Sequence, residues 1–566
     1  MRRKLKQQPD TDKINALASV INTDRVNATL LLQRGISDFN LAKEFFRPDL
    51  NLLHDPFLMK DMDKAVTRII TAINNKEKIL VYGDYDVDGT TSVALFYSYL
   101  KSIGADAWYY IPDRYTEGYG ISFKGIDYAK ENKYALVVSL DCGIKANDKI
   151  DYANKLGVDF IICDHHLPGE HLPKAFAVLD AKRKDCGYPF KELSGCGVGF
   201  KLAQALQSKL NKPFEELIPL LDLVAVSIAA DIVPVNGENR ILCYYGLQEL
   251  NKMKRAGIRA LYQLNNLKKE LTITDIVFVI APRINAAGRI DHAMRAAELL
   301  LTDNEEEAAR FAGGINQTNT NRKEIDQGMT AQAFDMIGIN PQLIAKKTTV
   351  VYNEEWHKGV VGIVASRLIE KYYRPTIVLT KADGMLVGSA RSVKNFDIHT
   401  AIESCSDLLE QFGGHRHAAG LTLKPENLEL FVHRFEEEVS KTISEEDLIP
   451  EIDVDVTIYL NEISPKFFSV LKQFAPHGPE NMTPVFVTDS VLDTGWARVV
   501  GTNHLKLELY QQENPTVKFH AIAFDKGDFL SFFQKKVPLS ICYTVAENHY
   551  NGNTTLQLVV RDIQMN

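Results

Sequence analysis

Ile79-Leu-Val-Tyr-Gly-Asp-Tyr-Asp-Val-Asp-Gly-Thr90 is the stretch whose reading decides the fold. It opens as a near-continuous apolar run, the pattern of a strand buried on both faces. It then delivers carboxylates at alternate positions, Asp84, Asp86 and Asp88, ahead of a helical pattern over Thr90–Ile103. The carboxyl ends of strands in an open parallel sheet are where such folds place their sites. A solvated acidic turn accounts for one such aspartate. Like charges packed this closely repel, and they persist cheaply when cations neutralise them. The spelling Asp-x-Asp-x-Asp-Gly also opens a calcium EF-hand loop, but here a strand precedes it and Leu95 stands where that loop requires Glu.

Working outward, the runs Ala135–Leu140, Phe160–Cys163 and Phe176–Leu179 repeat the strand pattern, with an amphipathic segment over Lys145–Leu156. This alternation predicts a parallel sheet covered by helices on both faces. The first of these runs ends in Asp141-Cys-Gly143 and the second in Asp164-His165-His166. Either ending alone reads as a helix cap or a turn; three successive strand ends carrying metal-capable groups read as one site. A fourth piece is Asp231, which follows the apolar run Leu221–Ala230, where a carboxylate is costly to bury unless paired or metal-bound. Mixed carboxylate and imidazole donors suit Mn²⁺ or Mg²⁺, and the absence of a C-x-x-C pair disfavours zinc. The donors outnumber what one such ion needs. Two ions about 3.5–4 Å apart suit phosphoryl chemistry, one activating water and the other stabilising the leaving oxygen.

The chain around this stretch has 566 residues, enough for about three or four domains. Its 45% apolar and 24% charged residues are globular values that exclude a mainly disordered or fibrous protein. A net charge of −8 excludes a histone-like coat for nucleic acid, though not a local basic groove. Seven scattered cysteines suit a reducing cytosol better than a disulfide framework. The basic start is followed by polar Gln7–Lys13 where a signal sequence needs an apolar run, and Leu217–Val235 is too interrupted by Asp222, Asp231 and Pro234 to span a bilayer. A cytoplasmic protein without a membrane partner is the expectation.

The expected organisation is an N-terminal helical segment over residues 1–75, an α/β catalytic unit over 76–300 and a helical connector over 301–340. A smaller α/β unit over 341–447 and a β-rich unit over 448–566 follow. The connector is read from Asp303–Met336, rich in Glu, Ala, Gln and Arg. The smaller unit is read from strands at Thr348–Tyr352, Thr376–Leu379 and Met385–Ala390, a helix over Val360–Lys371 and a Gly413-Gly414 loop. In the last unit, strand-like runs at Glu451–Leu460, Val485–Val491, Leu505–Tyr510, Val517–Phe524, Leu539–Ala546 and Thr555–Val560 predict a small barrel of the OB type. Asn551-Gly552 reads as a hairpin turn.

At this point the motifs resemble a known family. Asp84-Tyr-Asp-Val-Asp88-Gly, Asp141-Cys-Gly, Asp164-His165-His166 and Ala230-Asp231 are similar to the four motifs of the DHH phosphoesterase superfamily. Further segments resemble its RecJ branch of single-strand-specific 5′→3′ exonucleases. They are Leu53-His-Asp-Pro-Phe-Leu-Met-Lys60, Glu117-Gly-Tyr-Gly120, Pro282-Arg-Ile-Asn-Ala-Ala-Gly-Arg289, Trp356-His-Lys-Gly359, Gly362-Ile-Val-Ala-Ser-Arg367, Gly388-Ser-Ala-Arg391 and Gly413-Gly-His-Arg-His-Ala-Ala-Gly420. The resemblance covers nearly the whole chain and implies a DHH domain joined by a long helix to a DHHA1 domain, with an OB-like barrel behind. One departure is His477-Gly-Pro-Glu-Asn481, where RecJ-like chains carry a Phe-Gly-x-Gly-Asn type of turn.

The resemblance implies roles residue by residue. Asp86 and Asp88 become metal ligands with Asp84 beside them, Asp141 bridges both ions, and His165 and Asp231 complete the second site. His166 contacts the scissile phosphate. Adjacent His165 and His166 also do not easily point the same way from an extended turn. Arg283, Asn285, Arg289, Ser366, Arg367 and Arg391 become phosphate contacts, although an arginine of this kind is more often a surface ion pair. Gly413 and Gly414 let backbone amides approach a phosphate beside His415, where an ordinary tight turn is the commoner use of such a pair. Trp496, Tyr510, Phe519 and Tyr550 are candidates for base stacking beside Arg498, Lys506 and Lys518, against the more frequent role of core packing.

The implied activity is metal-dependent digestion of single-stranded DNA from its 5′ end to nucleoside 5′-monophosphates, in recombination and repair. The strand would pass between the two α/β units, through a channel too narrow for a duplex. A monomer is expected, working beside a helicase and a single-strand-binding protein. The alternatives are a DHH phosphoesterase for short oligonucleotides or cyclic dinucleotides, and a DNA-binding scaffold without activity. The β-rich unit speaks against the first and the complete carboxylate set against the second.

Overall fold

The computed structural model describes residues 1–290, 292–550 and 552–565, apart from the side chain of Tyr550. A short strand β1 (Arg2–Leu5) precedes the first sheet, whose strands are β2 (Lys78–Gly83), β3 (Ala107–Tyr110), β4 (Tyr134–Leu140), β5 (Asp159–Cys163) and β6 (Ala177–Leu179). They pair in the order β3-β2-β4-β5-β6, all parallel. The apolar runs do become strands buried on both faces, one against a large cluster around Val81, Val138 and Leu140, the other around Leu80, Val137 and Ile162. Sequence reading misses β3, because its Ala-Trp-Tyr-Tyr is an aromatic edge strand with no aliphatic run.

The helix after β2 spans Val87–Ser102 and starts earlier than its hydrophobic spacing predicts. The cause is Asp86, which caps it by accepting a hydrogen bond from Gly89 N at 2.9 Å. Asp88 therefore sits inside the first helical turn. The connector is a single helix, Glu305–Gly338, and it is not wholly exposed: Asn319, Arg322 and Asp326 are buried along one side.

The second α/β unit contains β7 (Thr349–Tyr352), β8 (Thr376–Ala382), β9 (Met385–Arg391), β10 (Leu409–His415) and β11 (Ala418–Leu423), ordered β10-β11-β9-β8-β7. Gly413 and Gly414 thus lie within strand β10, opposite Gly420 and Ala419, and not in a loop. Gly414 has φ +148°, and a Cβ there would meet Ala418 O at 2.3 Å, so the pair serves close strand pairing.

The C-terminal unit follows with β12 (Glu451–Val454), β13 (Val456–Thr457), β14 (Phe486–Asp493), β15 (Arg498–Val500), β16 (His504–Gln511), β17 (Asn514–Ala523), β18 (Leu539–Tyr550) and β19 (Asn553–Met565). Strand β14 pairs with both β18 and β16, which closes the ring β14-β18-β19-β17-β16 into a five-stranded barrel of the OB type. Strands β18 and β19 pair antiparallel up to Tyr550 and Asn553; Asn551, the first residue of the predicted turn, lies outside the described residues. The N-terminal helices belong to this end of the molecule: Leu17, Leu30 and Leu31 share a core with Phe467, Phe486 and Leu507, and β1 pairs with β12. The helix Met62–Asn74 packs instead into the first α/β core. Among the described residues no helix is long and apolar enough to cross a membrane.

One buried cation ties the ends together. Arg240, just beyond the Asp231 turn, donates hydrogen bonds to the carbonyls of Phe45, Gln473, Phe474, Ala475 and Pro476 and lies 3.8 Å from the Phe45 ring centroid. Arg240→Met leaves these carbonyls without their donor. It should lower unfolding stability in urea by about 2–4 kcal/mol, while an unchanged midpoint would show that the contact is dispensable.

Candidate active site

The carboxyl ends of β2, β4 and β5 converge on one edge of the first sheet, and the C-terminus of the helix Leu221–Ala230 meets them there. Asp84 follows β2 and is fully buried, accepting from Gly120 N at 3.2 Å. Asp141 follows β4 in the left-handed region, φ 60°. It is pressed against the start of the helix Gly195–Lys209, where a Cβ on Gly195 would lie 2.6 Å from Asp141 Cβ. Asp88 accepts from Gly195 N at 2.7 Å, Cys196 N at 2.8 Å and Ser227 Oγ at 2.7 Å. A helix N-terminus thus holds it rigidly, and a carboxylate has lone pairs left over for a further partner.

His165 is the hub. Its Nε2 lies 3.1 Å from Asp141 Oδ1, 3.5 Å from Asp231 Oδ2 and 3.7 Å from Asp88 Oδ2. Two groupings have donor atoms close enough to share an ion: Asp88, His165 and Asp231, and Asp141, His165 and His166. Of the five predicted ligands these include Asp88, Asp141, His165 and Asp231. Asp86 stands outside both, engaged as a helix cap, while His166 enters one of them. Asp164, quoted in the motif but given no role from sequence, organises the histidines. Its Oδ1 accepts from His165 N, His166 N and the His166 ring at Nδ1, and its Oδ2 from Ile144 N.

The electrostatics are those of anions crowded beyond what the nearby cations, Arg114, His166 and Lys182, offset. Burial and mutual repulsion push Asp84 and Asp141 well above the usual carboxylate range, raise Asp86, and bring Asp231 up to about 8. Asp84 Oδ2, Asp141 Oδ1 and both His165 ring nitrogens are buried without a hydrogen-bond partner. Buried polar atoms are almost always satisfied, so this set of hard oxygens and a neutral imidazole fits divalent cations. Burial keeps His165 neutral, as a ligand must be, whereas Asp164 overcomes desolvation and lifts His166 to about 9.

Beside this cluster opens a cleft of about 360 Å³ between the two α/β units, lined by Arg114, Arg289, Lys358, Ser389 and Arg391 among others. A Cβ on Gly288 would meet Tyr85 O at 2.4 Å, so the segment carrying Arg289 is packed onto the acidic loop itself. Arg391 donates to Ser389 Oγ at 2.8 Å, and Arg114 sits 4.9 Å from the Tyr85 ring centroid. Arg114, Lys358 and Ser389 escaped the sequence reading. The last two lie inside motifs quoted for neighbouring residues; Arg114 carries no motif signal.

The other predicted phosphate contacts do not line this cleft. Arg283 is buried and donates to Val279 O, Asn316 Oδ1 and Asn265 Oδ1, which joins two helices. Arg367 makes a bidentate pair with buried Asp326 of the connector, at 2.9 Å. Ser366 is exposed and donates to its own helix at Gly362 O, and Asn285 is half-buried. His415 is exposed at the end of β10, in line across the sheet with Ala418 and Arg391. On the barrel, exposed Trp496 is covered by Arg498 at 4.0 Å and flanked by His520; Phe519 packs against the barrel core, and Tyr510 is half-buried. The Tyr550 side chain lies outside the described residues.

Comparison with known proteins identifies the units that carry this site. The DHH family N-terminal domain matches residues 78–228, the DHHA1 domain 343–441 and the RecJ OB domain 454–562. A single-stranded-DNA-specific exonuclease RecJ of Bacillus subtilis is 37% identical over 562 residues, 98% of this chain and 70% of the relative. The Escherichia coli RecJ is 34% identical over 527 residues, 89% and 90% of the two chains. The chain belongs to the RecJ family. Among solved structures, RecJ of Thermus thermophilus in complex with Mn²⁺ superposes with TM-score 0.86 at 27% identity, over all of this chain and 80% of that one. Its Mg²⁺ complex gives 0.79 at 26%.

One consequence of the contact between Asp164 and His166 is measurable in metal-free protein. Since Asp164 raises His166 to about 9, the bond contributes stability fully below pH 6.5, and that contribution is lost as pH rises through 9. An NMR titration of the His166 ring should show it protonated at neutral pH in wild type and titrating well below that in Asp164→Asn. A ring titrating near 6.5 in both proteins would contradict the assignment.

Proposed function

We propose that this chain is a metal-dependent exonuclease that hydrolyses single-stranded DNA from the 5′ end to nucleoside 5′-monophosphates. The observation that carries the reading is the set of unsatisfied buried donors at Asp84, Asp141 and His165, gathered beside a cationic cleft. Two divalent cations, Mn²⁺ or Mg²⁺, would be held by Asp88, Asp141, His165 and Asp231, with Asp86 adding the carboxylate oxygen that its helix cap does not use, and would supply the Lewis acidity that phosphodiester hydrolysis needs. Both metals occur in the Thermus thermophilus relative.

The rest is done by the chain's own groups. His166, cationic and fixed through Nδ1 by Asp164, turns Nε2 toward the Tyr119 hydroxyl at 3.3 Å, a long contact that it would exchange for a non-bridging oxygen of the scissile phosphate. Arg289, Arg391, Arg114 and Lys358 line the path of the adjoining phosphates, and Ser389 orients Arg391. Binding through such a cleft weakens with salt even though the chain is net acidic. The closed barrel and its Trp496–Arg498 surface suit a long strand better than a dinucleotide. Preference for single strands is steric, set by the spacing of the two α/β units. Work in recombination and repair in the cytoplasm, as a monomer beside a helicase and a single-strand-binding protein, follows from this reading.

The test is digestion of one oligonucleotide labelled separately at each end, with Mn²⁺. Wild type should release the 5′ label first, and Asp141→Ala should be roughly a thousand-fold slower with unchanged circular dichroism. First release of the 3′ label overturns the polarity, and equal rates for the two proteins overturn the site.

A further inference from the structure

Three large apolar side chains stand in solvent at the mouth of the acidic cluster, each one residue or one contact from a member of it. Ile232 follows Asp231 and is 69% exposed; Leu167 follows His166 and is 70% exposed. Tyr119, 57% exposed, places its hydroxyl 3.3 Å from His166 Nε2 and turns its ring edge-on to those of His166 and Tyr85. Single exposed apolar residues need no explanation. Ile232 does, because its φ is 60°, a left-handed conformation that is a true outlier for a β-branched residue.

The surroundings hold that conformation in place. Asp231 N donates to Ser227 O at 2.9 Å, Asn239 Nδ2 to Pro234 O at 3.0 Å and Val235 N to Pro479 O at 2.8 Å. The same turn buries Val233 and Val235, so it has apolar residues enough for its own packing and still turns Ile232 outward. Strain maintained by its surroundings beside a reactive cluster is a mark of function.

We propose that Ile232, with Tyr119 and Leu167, forms an apolar collar that grips the base and deoxyribose of the terminal nucleotide while the acidic cluster engages its phosphodiester. The proposal rests on the exonuclease reading above. The cleft and His166 would take the phosphates; what remains of the nucleotide is the nucleoside, whose base faces and sugar carbons match the collar, apolar surface beside the same cluster. Aromatic and aliphatic contact accepts every base through its face, as a nuclease without sequence preference requires.

Ile232→Gly, Ile232→Asn and Leu167→Ser separate the collar from the fold, because glycine and asparagine adopt the left-handed region readily. The substrates are oligothymidylate and the same oligomer with a tetrahydrofuran abasic residue at each end, digested with Mn²⁺. Wild type should show a KM about ten-fold lower for the intact ends. Ile232→Gly should bring the two KM values within about two-fold, by raising the first with kcat little changed, while its thermal midpoint stays level or rises. Should that variant not fold, the same convergence is expected of Ile232→Asn and Leu167→Ser. A wild-type enzyme that digests both substrates equally well, or variants that keep the full preference, overturn the collar and leave the nuclease reading standing. Wild type that digests neither overturns both.

Discussion

Repulsion among buried carboxylates is the constraint on which the rest of the molecule depends. Asp84 and Asp141 are almost wholly out of water, with Asp86, Asp88 and Asp231 around them, and no lysine or arginine among the described residues forms an ion pair with this group. Such a cluster is destabilising by itself. It is kept because rigid elements impose it: a parallel sheet whose strand ends share one edge, a helix start that grips Asp88, and a left-handed turn at Asp141. Stability is sacrificed at this edge so that cations find a finished site, which is the usual sign of preorganised chemistry.

The remaining architecture serves access to that edge. The connector helix Glu305–Gly338 sets the second α/β unit opposite the cluster and is locked to it by Asp326 with Arg367. The cleft so formed collects cationic groups from both units, which gives a net acidic chain a local path for a polyanion. The barrel is attached at the other side of the Asp231 turn, where Arg240 and the Val235–Pro479 hydrogen bond join it to the catalytic unit. The departure from the family pattern at His477–Asn481 falls at this joint. Buried Asn481 there donates to Phe474 O and Pro476 O and accepts from Arg34.

Much of this was legible from residue order, and the physical reasons are specific. Parallel strands buried on both faces must be continuous apolar runs, so β2, β4 and β5 announce themselves, and the polar residues that end them stand out. Where that contrast is weak the reading fails: β3 is aromatic and at an edge, and Gly413-Gly414 reads as a turn although it is a strand paired closely with its neighbour. Charge type is legible and partnership is not. Arg283, Arg289, Arg367 and Arg391 look alike in sequence, yet two are consumed by helix contacts and two face the cleft, because a partner such as Asp326 lies 41 positions away in the chain. Asp164 was visible in its motif, but its grip on His166 depends on a side-chain contact that spacing does not encode.

The central claim is that the acidic edge exists to hold a pair of divalent ions. Anomalous diffraction from crystals soaked in Mn²⁺ tests it most directly. Two manganese peaks within about 4 Å of each other and in contact with Asp141 are predicted for the wild type, with at least one lost in Asp141→Asn. A map with no peak at this edge, or with a single ion that the Asp141→Asn protein still binds, would contradict the account.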